Sequence, residues 1–228
     1  MQINPKAVYA VIVAGGQGTR MGTAMPKQFL ELAGKPVLYH TIKAFADALP
    51  DAHIILVLPV HQLSYAQMVL QHFEARIDLT IIAGGETRYH SVQNGLKDLP
   101  EDSIIMVQDG VRPLVDKALI LRCYNQAVEQ GSAIPAIAAT DSLRLVQQEN
   151  SIPLNRERVR IIQTPQTFKG NVLLPAFKQP YNTAFTDEAS VVEAAGGKVF
   201  LIEGDKRNIK ITTPEDLLVA EAFMKAVL

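Results

Sequence analysis

The chain has 228 residues, 48 % of them hydrophobic and 20 % charged, enough to bury a sizeable core and too apolar for a disordered polymer. A formal net charge of −1 at pH 7 gives no overall basic field for nucleic acid or an acidic membrane surface, so cations used in binding must be gathered locally. The single cysteine, Cys123, excludes an internal disulfide and a cysteine-built zinc site and fits a reducing compartment.

The opening MQINPKAVYAVIVAGG lacks the cationic start, long apolar core and cleavage site of a secretory leader. No run approaches the roughly 18 apolar residues that span a bilayer, and the expectation is a soluble, cytoplasmic protein. AVYAVIV, residues 7–13, is short, β-branched and almost wholly apolar, as a strand covered on both faces should be. A glycine-rich loop follows, and Pro36 then opens a helical pattern with Leu38, Ile42, Phe45 and Leu49 on one face. HIILVL (53–58) predicts a second strand, Tyr65 to Phe73 a helix, LTIIA (79–83) a third strand, and a short helix should end near Leu99. SIIMVQ (103–108) predicts a fourth strand stopping at Asp109-Gly110; a helix over 116–130 and a strand over 132–137 follow, and LILRCYNQAV makes Cys123 a packed helical residue.

Residues 139–163 break this rhythm. Two β-like runs flank a polar turn and carry Arg144, Arg156, Arg158 and Arg160, the pattern of a hairpin arm leaving the sheet. A lone hairpin is marginal in water, so its expected seat is a second subunit. FTDEAS then opens a helix with Thr186 as its expected cap; KVFLI (198–202) and NIKI (208–211) read as strands. Thr213-Pro214 starts a last helix that should run to Val227. Alternating strands and helices argue for one α/β domain over residues 1–228, an open doubly wound, Rossmann-like and mostly parallel sheet with a protruding β-arm over 139–163.

In such sheets ligands bind beyond the carboxyl ends of the strands. AGGQGTR, GGETRYHS and QDGVRP each directly follow a predicted strand. The first is neither a P-loop, since Thr23-Ala24 follows Gly22, nor a G-x-G-x-x-G fingerprint, being one residue too long. Its glycines still let successive N–H groups face one polyphosphate. Arg20 adds a planar fork for phosphate oxygens, and Lys27, stiffened by Pro26, a compact second cation. Asp109 comes at the end of a strand with Arg112 close behind; a carboxylate beside a polyphosphate commonly carries Mg²⁺ or another divalent cation. The five histidines show no metal-ligand spacing, and there is no G-x-S-x-G elbow.

The pattern Ala14-Gly15-Gly16-x-Gly18-Thr19-Arg20-Met21 followed by Pro26-Lys27 resembles the nucleotidyltransferases that join a nucleoside triphosphate to a sugar or polyol phosphate. With PKQFLELAGKPVLYHTI, GGETRYHSV, QDGVRP, QTPQTF, TDEASVVE and GDKRNIKITTPEDL, the chain resembles the 2-C-methyl-D-erythritol 4-phosphate cytidylyltransferases nearly end to end. The resemblance implies transfer of CMP from CTP to the polyol phosphate with release of pyrophosphate. It assigns Arg20, Lys27 and Lys210 to charge on the phosphates, and the backbone of Ala14, Gly15, Gly16 and Gly18 to the triphosphate. Gly85, Glu86 and Ser91 would line the cytidine pocket with Gly110 near the ribose, Asp109 would hold the metal, and Glu86 stands where aspartate is common. Arg112, Thr140 and Thr186 would grip the polyol phosphate. Arg156 and Thr164 would join them from the arm of a homodimer partner, with Arg158 as the alternative to Arg156. A ribitol 5-phosphate cytidylyltransferase shares the same loops and is the alternative reading.

Overall fold

The computed structural model of the chain describes residues 7–16 and 25–226. Strand β1 (Ala7–Val13) sets the layering, because successive side chains on a strand point to opposite faces. Ala10 and Ile12 enter one core, and Val11 and Val13 enter the other, all of them buried. A two-residue hairpin, β2 (Glu31–Leu32) with β3 (Lys35–Pro36), leads into α1 (Val37–Ala48). Next come β4 (His53–Leu58), α2 (Ala66–Leu70), β5 (Leu79–Ala83), α3 (Arg88–Gly95), β6 (Ser103–Asp109), α4 (Lys117–Gln130) and β7 (Ser132–Ala138). Leu38, Ile42 and Phe45 of α1, Val69 of α2 and Ile120 and Cys123 of α4 cover the Ile12 face. Tyr89 and Val92 of α3 cover the Val11 face.

Among the described residues, strands β8 (Leu143–Gln147) and β9 (Asn150–Leu154) pair with each other alone, Leu143 opposite Leu154, a hairpin shorter than the 139–163 segment read as an arm. The chain re-enters the main sheet through β10 (Arg160–Ile162) and β11 (Gln166–Lys169), and α5 (Gly170–Ala176) and α6 (Glu188–Ala194) complete the Val11 face. Strand β12 (Leu201–Glu203) and α7 (Pro214–Lys225) follow. The sheet order is β10-β7-β11-β6-β1-β4-β5, with β12 also beside β7. Only β10 and β11 run against the rest, so the doubly wound, mostly parallel α/β arrangement read from the sequence holds. Consecutive strands diverge from β1, with β4 on one side and β6 on the other, the arrangement that opens a crevice at the strand ends.

Three local expectations change. The helix cap after FTDEAS is Asp187, not Thr186: Asp187 Oδ1 accepts from the Ser190 amide at 2.9 Å, a carboxylate suiting the positive helix end better than a hydroxyl. KVFLI becomes strand only from Leu201, and NIKI is not a strand: the side chains of Arg112 and Gln163 donate to the Asn208 carbonyl, and the Ile211 amide donates to the Val111 carbonyl in the loop after β6. The cap of α7 is as read: Thr213 caps, Pro214 opens the helix, and Asp216 accepts from the Thr212 and Thr213 amides at 2.7 and 2.8 Å.

Candidate active site

The ends of β1, β5 and β6 and the segment carrying Lys210 surround a pocket of about 350 Å³. Ala14, Gly15, Gly16, Lys27, Gly85, Glu86, Ser91, Asp109 and Lys210 line it, so the structure gathers in one place nine residues singled out from four separate motifs. The close approach of two strand ends makes this possible. The Gly110 amide donates to the Val13 carbonyl at 2.8 Å, and a Cβ on Gly110 would sit 2.9 Å from that of Ala14. Only glycine fits there, which explains the residue after Asp109 without any contact to a ligand.

Lys27 is buried in a short 3-10 turn (Lys27–Phe29), and its neighbour Gln28 fastens that turn to β1 by donating from Nε2 to the Ala14 carbonyl at 2.8 Å. On the opposite wall Thr87 caps α3, and Ser91 Oγ accepts from the Gly85 amide at 3.1 Å while donating to the Thr87 carbonyl at 2.9 Å. The serine therefore fixes the loop backbone that lines the pocket.

Asp109 carries the electrostatics of the site. Lys210 Nζ lies 3.0 Å from its Oδ2 and Arg112 Nε 3.3 Å, while Arg88 Nη2 lies 3.4 Å from Oδ1. Burial opposes ionisation of this carboxyl, but Arg88, Lys210 and Arg112 together outweigh it and hold Asp109 well below the usual carboxylate range. Arg88, Arg112 and Lys210 against Asp109 and the buried Glu188, with Lys27 on the same pocket, leave a net positive charge there, the field that a polyphosphate requires. Among the described residues no three His, Cys, Asp or Glu side chains converge as a ready-made metal cage.

Arg88 was missed from the sequence. It lines the pocket, and behind it the buried Glu188 takes both terminal nitrogens of the guanidinium, Nη2 to Oε2 at 3.1 Å. Both residues lie inside motifs already noticed, GGETRYHS and TDEAS; the available signal was a cation in the first turn of a helix that follows a crevice strand.

The remaining predicted residues stand elsewhere. Arg112 is buried behind Asp109, its Nη1 donating to the Asn208 carbonyl at 2.8 Å. Thr164 is buried, and its hydroxyl accepts from the Asp109 amide at 3.1 Å. Thr140 and Arg156 meet at the base of the arm, Arg156 Nη1 to the Thr140 carbonyl at 2.7 Å, and both are exposed. Thr186 is exposed just before α6. None of these four, nor Thr164, lines the pocket. Gly18 and Arg20 lie outside the described residues.

Comparison with known proteins agrees with this geometry. The family model described as 2-C-methyl-D-erythritol 4-phosphate cytidylyltransferase matches residues 8–226. A protein of that name from Phocaeicola vulgatus is 45 % identical over 218 residues, covering 95 % of this chain and 99 % of its own. Another from Clostridium botulinum is 41 % identical, with 94 % and 97 % covered. Among solved structures, the 4-diphosphocytidyl-2C-methyl-D-erythritol synthase of Anaerococcus prevotii superposes with a TM-score of 0.82 at 28 % identity, covering 96 % of each chain. The 2-C-methyl-D-erythritol 4-phosphate cytidylyltransferase of Thermus thermophilus gives 0.74 at 31 % identity, with 97 % and 99 % covered. With a match of this extent, and a strand-end pocket rich in cations, the chain belongs to the 2-C-methyl-D-erythritol 4-phosphate cytidylyltransferase family of nucleotidyltransferases.

Proposed function

We propose that the chain joins CTP and 2-C-methyl-D-erythritol 4-phosphate to give 4-diphosphocytidyl-2-C-methyl-D-erythritol and pyrophosphate, a step of isoprenoid synthesis. A phosphate oxygen of the polyol phosphate attacks the α-phosphorus of CTP; the bond from that phosphorus to the bridging oxygen breaks, and pyrophosphate leaves with the electron pair. Such a displacement chiefly needs alignment and charge stabilisation. The observation that carries the reading is the gathering of Lys27, Arg88, Lys210 and the ionised Asp109 in one pocket at the ends of β1, β5 and β6. Lys27 and Lys210 stabilise charge that grows on the phosphates, and Arg20 is assigned the same task. The backbone at Ala14, Gly15 and Gly16 cradles the triphosphate, while Gly85, Glu86 and Ser91 form the wall toward cytidine.

Mg²⁺ takes hard oxygen ligands, one or two carboxylates with phosphate and water completing the shell. Asp109, kept ionised by its neighbours and lining the pocket, fits that requirement. When bound, the ion would neutralise part of the phosphate charge.

The homodimer belongs to the same reading. Leu145, Val146, Ile152 and Leu154 of the arm are all exposed, an apolar surface on a hairpin too small to stand alone. Seated on a partner, each arm would bring Arg156 to the polyol phosphate. Cytoplasmic placement is supported by the lone buried cysteine and by the described helices, none of which is long and apolar enough to cross a membrane.

The test is pyrophosphate release from CTP and Mg²⁺ with each polyol phosphate in turn. Turnover should be faster with methylerythritol phosphate; faster turnover with ribitol 5-phosphate would overturn the choice of substrate.

A further inference from the structure

The segment 204–211 delivers Lys210 to Asp109, yet it has little ladder of its own. Its backbone meets β7 at one end, Gly204 N to the Ala136 carbonyl at 3.0 Å, and the loop after β6 at the other, Ile211 N to the Val111 carbonyl at 2.9 Å. Between those points two side chains share the work: Arg112 Nη1 donates to the Asn208 carbonyl at 2.8 Å, and Gln163 holds both residue 205 and residue 208. Gln163 Oε1 accepts from the Asp205 amide at 3.1 Å, and its Nε2 donates to the carbonyls of Asp205 at 2.8 Å and Asn208 at 3.3 Å. An adjacent strand would offer residue 205 the same pair of bonds, so the carboxamide substitutes for a strand.

The fit is close. Gln163 is only 3 % exposed, and a Cβ on Gly204 would come within 2.5 Å of Gln163 Oε1. Asn208, fully buried, adds a second tie by donating from Nδ2 to the Thr164 carbonyl at 2.8 Å. The Gln163 amide is itself anchored on β7, donating to the Pro135 carbonyl at 2.7 Å. By contrast the Lys210 side chain is 41 % exposed, a compact charge on a four-carbon stem whose position depends on where its backbone is held.

We propose that Gln163 is a positioning residue for Lys210: it fixes the segment that carries the lysine to the end of β10, at the edge of the main sheet. This deepens the function proposed above and rests on the assignment of Lys210 to the phosphates. Misplacing a charged group by about 1 Å can cost on the order of 100-fold in rate.

The experiment is a double-mutant cycle on kcat with methylerythritol phosphate and CTP. Gln163→Ala should lower kcat roughly 10- to 100-fold and leave the KM for CTP within about threefold, since placement matters most in the transition state. In a Lys210→Ala background the same change should cost less than about twofold, because the group it positions is gone. Gly204→Ala, which pushes on Gln163 Oε1, should repeat both results. If Gln163→Ala fails to fold, Gln163→Glu keeps its volume and its acceptor while removing both donated bonds, and the same cycle is read with it. A full multiplicative cost in the Lys210→Ala background overturns the positioning role alone. An unchanged kcat for Lys210→Ala by itself removes the phosphate assignment, and this proposal with it.

Discussion

Arg88 on α3 and Glu188 at the start of α6, 100 positions apart in the chain, meet in a two-point ion pair beside the pocket. Glu188 is almost fully buried, and the guanidinium that it holds reaches Asp109 with its remaining edge. Glu188 is thus the support of a support: it orients the arginine, which helps keep Asp109 ionised. Glu188→Ala should destabilise the fold by about 2–3 kcal/mol, less than a fully buried pair because Arg88 keeps some solvent contact, and Glu188→Gln by roughly half of that. Urea unfolding of both variants checks the order.

Lys27→Ala should cut turnover on the order of 100-fold while CTP affinity changes far less, as expected of a charge that acts mainly in the transition state. Rapid-quench turnover and calorimetric CTP binding separate the two effects. An unchanged rate would remove Lys27 from the chemistry.

Arg156→Ala should raise the KM for the polyol phosphate and leave that for CTP in place. If the arm serves the partner's pocket, mixing Arg156→Ala with Lys27→Ala subunits builds one intact site per hybrid dimer. About one quarter of wild-type activity should then return on re-association, counting half the dimers as hybrids with half their sites whole. No recovery after subunit exchange would place Arg156 in its own chain's site.

Burial pushes the Cys123 thiol up to about 12, with Arg122 only partly opposing it. The thiolate is the reactive form, so at pH 8 the folded protein should resist a disulfide reagent, and titration should follow unfolding rather than precede it. Rapid labelling of the folded protein would contradict the packed position of Cys123 on α4.

Strands buried on both faces were legible because nothing but a covered strand explains runs such as AVYAVIV and HIILVL. The crevice was legible for the same reason, since three glycine-bearing loops had to fall at one edge of the sheet. Strand β11 was not: QTFK is four residues long with a buried glutamine and threonine, and its burial comes from β6 and β7 on either side rather than from its own pattern. NIKI looked like a strand because its composition is that of one, while the Asn208 carbonyl is taken by the side chains of Gln163 and Arg112 and the Ile211 amide by the Val111 carbonyl in the loop after β6. Arg88 stood in plain view within a noticed motif, but its meaning depends on Glu188, and no spacing rule links two residues so distant in sequence. The assignments of Gly18 and Arg20 lie outside the described residues.

Strand β11 enters the sheet between β6 and β7 and runs opposite to both. As the polypeptide emerges from the ribosome, β6 and β7 are therefore made well before the piece that joins them. A nascent chain ending ahead of residue 166 would present two naked edges of bare amides and carbonyls, open to pairing with a neighbouring polypeptide. The last stretch of the polypeptide is thus what seals the part made before it, and premature termination should yield aggregates rather than a smaller working enzyme.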